Sequence, residues 1–429
     1  MKVLMFGWEF PPHISGGLGT ACFGLTKGLL QQGVEVLFVV PKAYGDENQE
    51  SVRIINASDI AINIELKIYQ QYWKNITLMQ IGSNLIPYVG TEEFENIVKN
   101  NIKKENIYEE SIFKEKYEFS GKYGHNLMKE VTRYALVAST IAANNDFDII
   151  HVHDWLTYPA GIAAKKISGK PLIAHIHATE FDRSGENINQ NIYDIERKGM
   201  HEADLVIAVS NYTRNTVIER YDLSPDKVFT VYNAVDHSDF VDINDNGKSV
   251  PEKIVTFLGR VTFQKGPDYF VEAAHKVLQV DKNVRFVMAG SGDMLIRMIH
   301  RVAELGDSAN FHFTGFLDVE DVKNLFAMSD VYVMPSVSEP FGISPLEAMR
   351  SSVPVVISKQ SGVSEVLRHA LKVDFWDIDA MADCIYGLLH YNALAEVFKE
   401  EGKKEVENLK WNSSAAKVVE VYKKAMNLN

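Results

Sequence analysis

Two carboxylates with seven residues between them stand in Glu339-Pro340-Phe341-Gly342-Ile343-Ser344-Pro345-Leu346-Glu347. A glycine turn separates them and the pattern predicts a helix start near Ser344, so one acid can reach a sugar while the other reaches a ribose diol. The backbone N–H groups of Gly342 and Ile343 would then face a phosphate, because unpaired donors and the helix dipole both favour an anion there. The plain alternative is a solvated turn carrying two acids. Upstream, Gly259-Arg260-Val261-Thr262-Phe263-Gln264-Lys265-Gly266 follows an apolar run. Arg260 offers a planar fork and Lys265 a point charge for one diphosphate, neutralising the charge that grows on a departing nucleotide. Taken alone, this segment reads equally well as a cationic surface loop. Gly290 and Gly292 in Gly290-Ser291-Gly292-Asp293 let a nucleotide lie close to backbone. Phe316, in Thr314-Gly315-Phe316-Leu317, marks a place where a base edge could read backbone groups. An ordinary turn is the rival reading for both.

In the first half, Pro11-Pro12-His13-Ile14-Ser15-Gly16-Gly17-Leu18-Gly19 runs from an apolar stretch into a helical pattern, and Gly16 and Gly17 would expose N–H groups at its start. This is not the G-x-G-x-x-G fingerprint, and Val40-Pro41-Lys42 closes the second strand without an acid, which disfavours a dinucleotide. His177, in Ala174-His175-Ile176-His177-Ala178-Thr179-Glu180, reads by itself as a structural histidine at a strand end. His151, His153 and Asp154 have the types of metal ligands. However, neighbours in an extended segment point to opposite faces and no further Cys or Asp cluster completes a shell, so no metal site is expected.

The elements that must position these residues are short apolar runs alternating with amphipathic stretches, the pattern of a parallel sheet covered by helices. Strands are predicted near Val3–Phe6, Val34–Val40, Asp148–Val152, Leu172–His175 and Leu205–Val209, with a helix over Leu18 to Gln32 stopped by Gly33. A polar, acidic tract containing Asp242-Ile243-Asn244-Asp245-Asn246-Gly247 and Pro251 breaks the pattern. A second series then covers Ile254–Leu258, Val284–Ala289, Asn310–Thr314, Asp330–Met334 and Val353–Ile357. The expected organisation is an α/β chain of two doubly wound domains facing a cleft: residues 1–236, a linker at 237–253, residues 254–410, and a final helix within 411–429, from Ser414 to Met426, that crosses back. The Lys-, Glu- and Asn-rich stretch from Glu92 to Lys122 reads best as a solvated helical insertion.

With 429 residues the chain exceeds one ordinary core, and a net charge of −13 argues against a nucleic-acid or anionic-membrane surface, since both need a basic field. Only Cys22 and Cys384 occur, too few for a disulfide framework, so the cytoplasm is expected. Apolar runs are strand-length, well short of the ~20 residues that span a bilayer, and no integral membrane segment is expected.

Taken together, the Gly16-Gly17 loop, Arg260, Lys265 and the Glu339-to-Glu347 motif, in this order, resemble the retaining glycosyltransferases of family 4 and the related bacterial glycogen and starch synthases. The resemblance covers nearly the whole length and implies the GT-B architecture of two Rossmann-like domains. It implies that Glu339 contacts donor-sugar hydroxyls, Glu347 the nucleotide ribose, and Arg260 with Lys265 the diphosphate, while His177 matches the family's histidine near the reacting sugar. His151-Val152-His153-Asp154-Trp155 is also similar to the family's segment bordering the cleft. Glycogen and starch synthases carry Lys two places before the paired glycines, where this chain has Ile14. That departure weakens the assignment to ADP-glucose elongation. Arg183 can meet donor or acceptor.

The implied chemistry uses no cofactor and no metal. A nucleotide-sugar, UDP-glucose or ADP-glucose, is the substrate, and the acceptor is an α-glucan or another glycan. The family's route is front-face substitution with retention. A glycosidase is disfavoured because no two carboxylates read as its acid and nucleophile. The remaining rivals are a sugar-nucleotide epimerase or glycan phosphorylase of the same fold, and a catalytically silent nucleotide-sugar binder.

Overall fold

The computed structural model describes residues 1–12, 17–45, 47, 52–60, 117–121, 127–235 and 251–427. Gly16 and Ile14, most of the Glu92-to-Lys122 stretch and most of the expected linker lie outside the described residues.

One sheet holds β1 (Lys2–Phe6), β2 (Glu35–Val40), β3 (Arg53–Asn56), β4 (Ile149–His153), β5 (Leu172–Ile176), β6 (Leu205–Ala208) and β7 (Val228–Thr230), in the order β3-β2-β1-β4-β5-β6-β7. The other holds β8 (Lys253–Leu258), β9 (Val284–Ala289), β10 (Phe311–Gly315), β11 (Val331–Met334), β12 (Val355–Ser358) and β13 (Leu371–Val373), in the order β10-β9-β8-β11-β12-β13. The pairings are parallel, so helices must cover both faces and the strands carry consecutive apolar residues. Val3, Leu4, Met5 and Phe6 accordingly are all buried. The edge strands β3, β7 and β13 are short and partly exposed, which is why no apolar run announces them.

The helices are α1 (Gly17–Gln31), α2 (Leu127–Asn144), α3 (Tyr158–Ser168), α4 (Glu180–Ser184), α5 (Gln190–Glu202) and α6 (Asn211–Tyr221) in the first half. Then come α7 (Pro267–Val280), α8 (Leu295–Leu305), α9 (Val319–Met328), α10 (Ser344–Arg350), α11 (Ile378–His390), α12 (Asn392–Val406) and α13 (Trp411–Ala425). In each sheet the strand order reverses beside the first strand, between β1 and β4 and between β8 and β11. In such sheets the crevice outside the carboxyl ends at that point is where ligands bind.

The last helix starts at Trp411 rather than at the expected Ser414. Burial of the Trp411 indole against α1 draws those residues into its first turn. Trp411, Val418 and Tyr422 join Val3, Met5 and Ile149 in one apolar cluster, so α13 covers the first sheet. The close approach depends on two glycines of α1: a Cβ on Gly24 would stand 2.2 Å from the Trp411 ring, and one on Gly28 2.6 Å from the Trp411 carbonyl oxygen. The two halves also share apolar packing, Val209 and Val235 meeting Phe341 and Val363. Among the described residues no helix is long and apolar enough to cross a membrane.

Candidate active site

The loops leaving β8 and β11 flank the second reversal point and meet in an ion pair. Lys265 Nζ lies 2.5 Å from Glu339 Oε2, which also accepts from Ser336 Oγ at 3.2 Å. Glu339 is 6% exposed, so the pair is largely withdrawn from water. Arg260 is exposed and donates to Gln264 Oε1 at 3.2 Å. Gly342 adopts φ 99, the left-handed region that favours glycine, and a Cβ there would stand 3.1 Å from Glu339 Cγ. Ile343 follows and precedes α10. Glu347 lies in the first turn of that helix, partly buried, and burial pushes its carboxyl up to about 7.

Gly290 and Gly292 serve the backbone itself. A Cβ on Gly290 would come 1.9 Å from the Gly259 carbonyl oxygen, and one on Gly292 2.2 Å from that of Val261. The turns after β8 and β9 are thereby pressed together, Val261 N–H donating to Ser291 O at 2.9 Å. Phe316 stands beside them, 70% exposed. Gly17 opens α1, and a Cβ there would meet nothing within 4 Å among the described residues.

At the first reversal point the polar groups are histidines. Side chains of alternate residues on β4 and at the end of β5 share one sheet face, and diagonal neighbours pair. His151 Nε2 lies 3.2 Å from His175 Nδ1, and His153 Nδ1 lies 2.9 Å from His177 Nε2. The rings stack, His175 on His177 at 4.4 Å and His151 on His153 at 4.5 Å between centroids. The Tyr422 hydroxyl of α13 bonds His151 Nδ1. Burial keeps that hydroxyl protonated and therefore a donor, which leaves the His151 Nε2 hydrogen to donate to His175. Burial also lowers all four imidazoles, His151 and His177 to about 3 and His153 and His175 well below their usual range, so the ladder is neutral. Asp154, at φ 59, turns its carboxylate under the end of the ladder and accepts the His177 N–H at 2.6 Å. Burial holds Asp154 up at about 6 despite that bond.

Beyond His177 the chain enters α4, whose Asp182 carboxylate accepts from Ser338 Oγ at 2.5 Å. Ser338 immediately precedes Glu339, so this bond ties the His177 segment to the Lys265–Glu339 pair. The Pro340 carbonyl accepts from Ser210 Oγ at 2.6 Å, and Glu365 accepts the N–H groups of Asn211 and Tyr212 at the start of α6, at 2.9 and 2.6 Å. Arg183 is engaged elsewhere: it pairs with Glu180 at 3.2 Å and with Glu196, and donates to Ala178 O at 3.1 Å. Glu196 is fully buried, and its carboxyl is pushed up to about 7. Arg183 thus secures α4 and α5, and Glu180 accepts from Ser184 and Asn189 as part of the same network.

The structure therefore gathers Arg260, Lys265, Glu339, Gly342, Ile343 and Glu347 around the second reversal point and places His177 at the first. Ser338 with Asp182 and the paired histidine ladder were not found from the sequence. The alternation His-x-His, repeated in His151/His153 and His175/His177, was the available signal for the ladder. A recess of about 300 Å³ lined by Glu118, Phe119, Ser120, Lys129, Glu130 and Arg133 shares no residue with this constellation.

The family profile described as Glycosyltransferase Family 4 matches residues 116–239, and that described as Glycosyl transferases group 1 matches residues 239–405. A glycosyltransferase of Methanocaldococcus jannaschii, itself uncharacterised, is 30% identical over 100% of this chain and 99% of its own length. The glycogen synthase of Mycobacterium tuberculosis is 21% identical over 98% of this chain and 94% of its own. Among solved structures, Anabaena HepE in complex with UDP-glucose superposes with a TM-score of 0.65 at 16% identity, covering 99% of this chain and 100% of that one.

Proposed function

Since the chain belongs to the group 1 and family 4 glycosyltransferases of GT-B fold, we propose that it moves glucose from UDP- or ADP-glucose to a hydroxyl of a glycan acceptor, with retention of anomeric configuration and without a metal in the transfer step. The observation that carries this reading is the Lys265–Glu339 pair, held beside the exposed Arg260 and tied through Ser338 and Asp182 to the segment that follows His177. The glycogen-synthase relative and the UDP-glucose bound by the Anabaena protein support a glucose donor.

In the proposed step the bond from the anomeric carbon to the diphosphate breaks, and the acceptor oxygen bonds to that carbon on the same face. The acceptor proton passes to the departing diphosphate oxygen. Arg260 and Lys265 attract a charge that is larger in the transition state than in the bound donor, and only that difference raises the rate. Glu339 accepts from sugar hydroxyls and Glu347 from the ribose diol. Neutral His177 offers hydrogen bonding beside the sugar without placing a competing cation there. Packing between the halves limits water at the anomeric carbon. No separate cofactor enters, and a cytoplasmic setting fits the supply of nucleotide-sugar.

The test is a screen of nucleotide-sugars for nucleoside diphosphate release, with and without maltooligosaccharides, in excess chelator, followed by NMR of the new linkage. Turnover of a glucose donor that persists in chelator and gives an α-linked product is expected. Activity confined to mannose or N-acetylglucosamine donors, an inverted linkage, or activity restored only by added metal would overturn the corresponding part. No turnover of any donor would return the chain to a silent binder.

A further inference from the structure

Cys22, His153 and His177 come from three separate segments, α1, β4 and the end of β5, yet offer one ligand atom each within 4.8 Å of one another. In the sequence, neighbours of an extended segment point to opposite faces and no Cys or Asp cluster completes a shell, so no metal site is expected; the fold brings Cys22 to His153 by laying α1 over the histidine-bearing face. We infer that Cys22, His153 and His177 form a site for a thiophilic divalent cation of the zinc class, whose occupation withholds His177 from the donor sugar.

The donor set fits that chemistry. One thiol and two imidazoles are borderline-soft ligands of the kind zinc takes in tetrahedral sites. With Zn–S of ~2.3 Å and Zn–N of ~2.0 Å, tetrahedral ligand atoms stand on the order of 3.5 Å apart, so small side-chain rotations close the observed spacing. Cys22 is 1% exposed and His153 fully buried, while His153 Nε2 has no hydrogen-bond partner among the described residues. A buried ring nitrogen without a partner is costly, and a cation would satisfy it. Burial first, and then the negative charges of Asp154 and Glu9, push the Cys22 thiol up; these disfavour a bare thiolate, and the two charges favour a cation in the same place. Metal would replace the thiol proton, which leaves to solvent.

The second convergent trio, His151, His153 and His175, is closed by comparison, because both nitrogens of His151 are already engaged, with Tyr422 and His175. Only the Cys22 trio includes the partly exposed His177 and so reaches the cleft. Three protein ligands leave a fourth position for water or a hydroxyl. The ion would therefore inhibit reversibly.

Cobalt(II) is the probe. The full chain carrying Cys384→Ser keeps Cys22 as its one thiol, and after chelator treatment it is titrated with Co²⁺ in the absence of any nucleotide-sugar. The expected result is a near-ultraviolet sulfur-to-cobalt charge-transfer band with visible bands of tetrahedral intensity, displaced by Zn²⁺. Cys22→Ser in that background should abolish the charge-transfer band and weaken Zn²⁺ binding at least tenfold, since loss of even an outer-shell partner of a metal ligand costs about 10–100-fold. Cys22→Ala, read alongside thermal melting, guards against misfolding of the serine variant. In the wild type, Zn²⁺ should lower sugar transfer, and both Cys22 variants should transfer at the wild-type rate in chelator while resisting Zn²⁺. Absence of the band, or a band that survives both Cys22 substitutions, overturns the site. Zn²⁺ bound through Cys22 with undiminished transfer overturns the claim on His177. Because the spectrum is read without donor, it fails or succeeds independently of the transferase reading.

Discussion

The two sheets present their reversal points with opposite electrostatics. At the first, three buried imidazoles, the partly exposed His177 and a buried tyrosine hydroxyl are neutral and hydrogen-bonded in pairs. At the second, a lysine and a carboxylate form an ion pair, with an arginine beside it exposed to solvent. Burial explains both. A buried imidazole avoids the desolvation penalty by giving up its proton, whereas Lys265 and Glu339 offset theirs with each other. A neutral wall keeps its hydrogen bonds when substrate arrives. An ion pair can exchange one partner for another anion, which is the basis for proposing the charged leaving group at the second half and the sugar with its acceptor at the first.

The largest expected effect is on the neutral wall. His151 has a folded-state value near 3 against about 6.5 unfolded, so below pH 6.5 the unfolded chain takes up a proton that the folded chain refuses. Stability assigned to this group is fully present above pH 6.5 and falls on acidification by on the order of 1.4 kcal/mol per pH unit down to about pH 3. Asp154 and Glu196, raised to about 6 and about 7, change stability in the opposite direction, so the measurement must be differential. The stability advantage of wild type over His151→Gln in denaturant unfolding should shrink steadily from pH 6.5 to 4.5. A gap that stays constant would mean that His151 is charged in the folded protein, and the comparison would break.

Next in size is the charged side. Lys265→Ala and Arg260→Ala should each lower turnover at saturating donor by on the order of 10²-fold or more, with a much smaller loss in donor affinity. Wild-type turnover in either variant would leave those residues as ordinary surface cations.

The contrast was half legible in the sequence. Arg260, Lys265 and Glu339 could be singled out because each sits in a short loop after an apolar run, and Glu347 because it stands in the first turn of the helix that follows such a loop; strand-end loops are fixed by local pattern. Glycines Gly290 and Gly292 were legible as close-approach positions, although what they approach is the neighbouring backbone. The ladder was not legible, because its pairing depends on the register of β4 against β5 and on α13 returning over the first sheet with Tyr422. Arg183 looked available from its position alone, and only the packing of α5 and α6 shows that Glu196, with Tyr221, closes a network around it.

A tenfold effect is expected at Glu347, where the two regimes meet: a partly buried carboxyl, raised by burial, that is proposed to receive the ribose hydroxyls. Loss of a hydrogen bond to a charged group costs about 1.5–3 kcal/mol, so Glu347→Ala should weaken donor binding roughly tenfold or more. With its folded value raised to about 7 over the usual 4.5, the group disfavours ionisation in the fold. The stability associated with it is therefore complete below about pH 4.5 and lost as pH rises through 7. Donor affinity should move the other way, strengthening as the carboxylate forms, and Glu347→Gln should flatten both profiles. Calorimetric titration with UDP-glucose and with ADP-glucose between pH 6 and 8 checks this, and unchanged affinity for both would remove Glu347 from the site.

The smallest expected effect is at the tie between the two regions. Ser338 donates its hydroxyl to Asp182 at 2.5 Å and accepts from the Tyr212 hydroxyl at 3.0 Å, so Ser338→Ala deletes a link without touching Lys265, Glu339 or the ladder. Asp182 is buried and its carboxyl is raised by that burial, with the Ser338 bond pulling it back down. Removing the bond should raise it further and leave one acceptor unsatisfied, a cost of about 1–3 kcal/mol before any solvent enters the gap. Part of that cost is relieved if the halves separate slightly and water reaches Asp182. Transfer should then fall only a few-fold, while hydrolysis of the donor in the absence of acceptor should rise relative to transfer, since water gains access to the cleft. A Ser338→Thr variant keeps the hydroxyl and should restore the ratio. If Ser338→Ala left the hydrolysis-to-transfer ratio unchanged, the neutral and charged regions would not depend on this contact for their alignment, and the apolar packing of Val209 and Val235 on Phe341 would suffice.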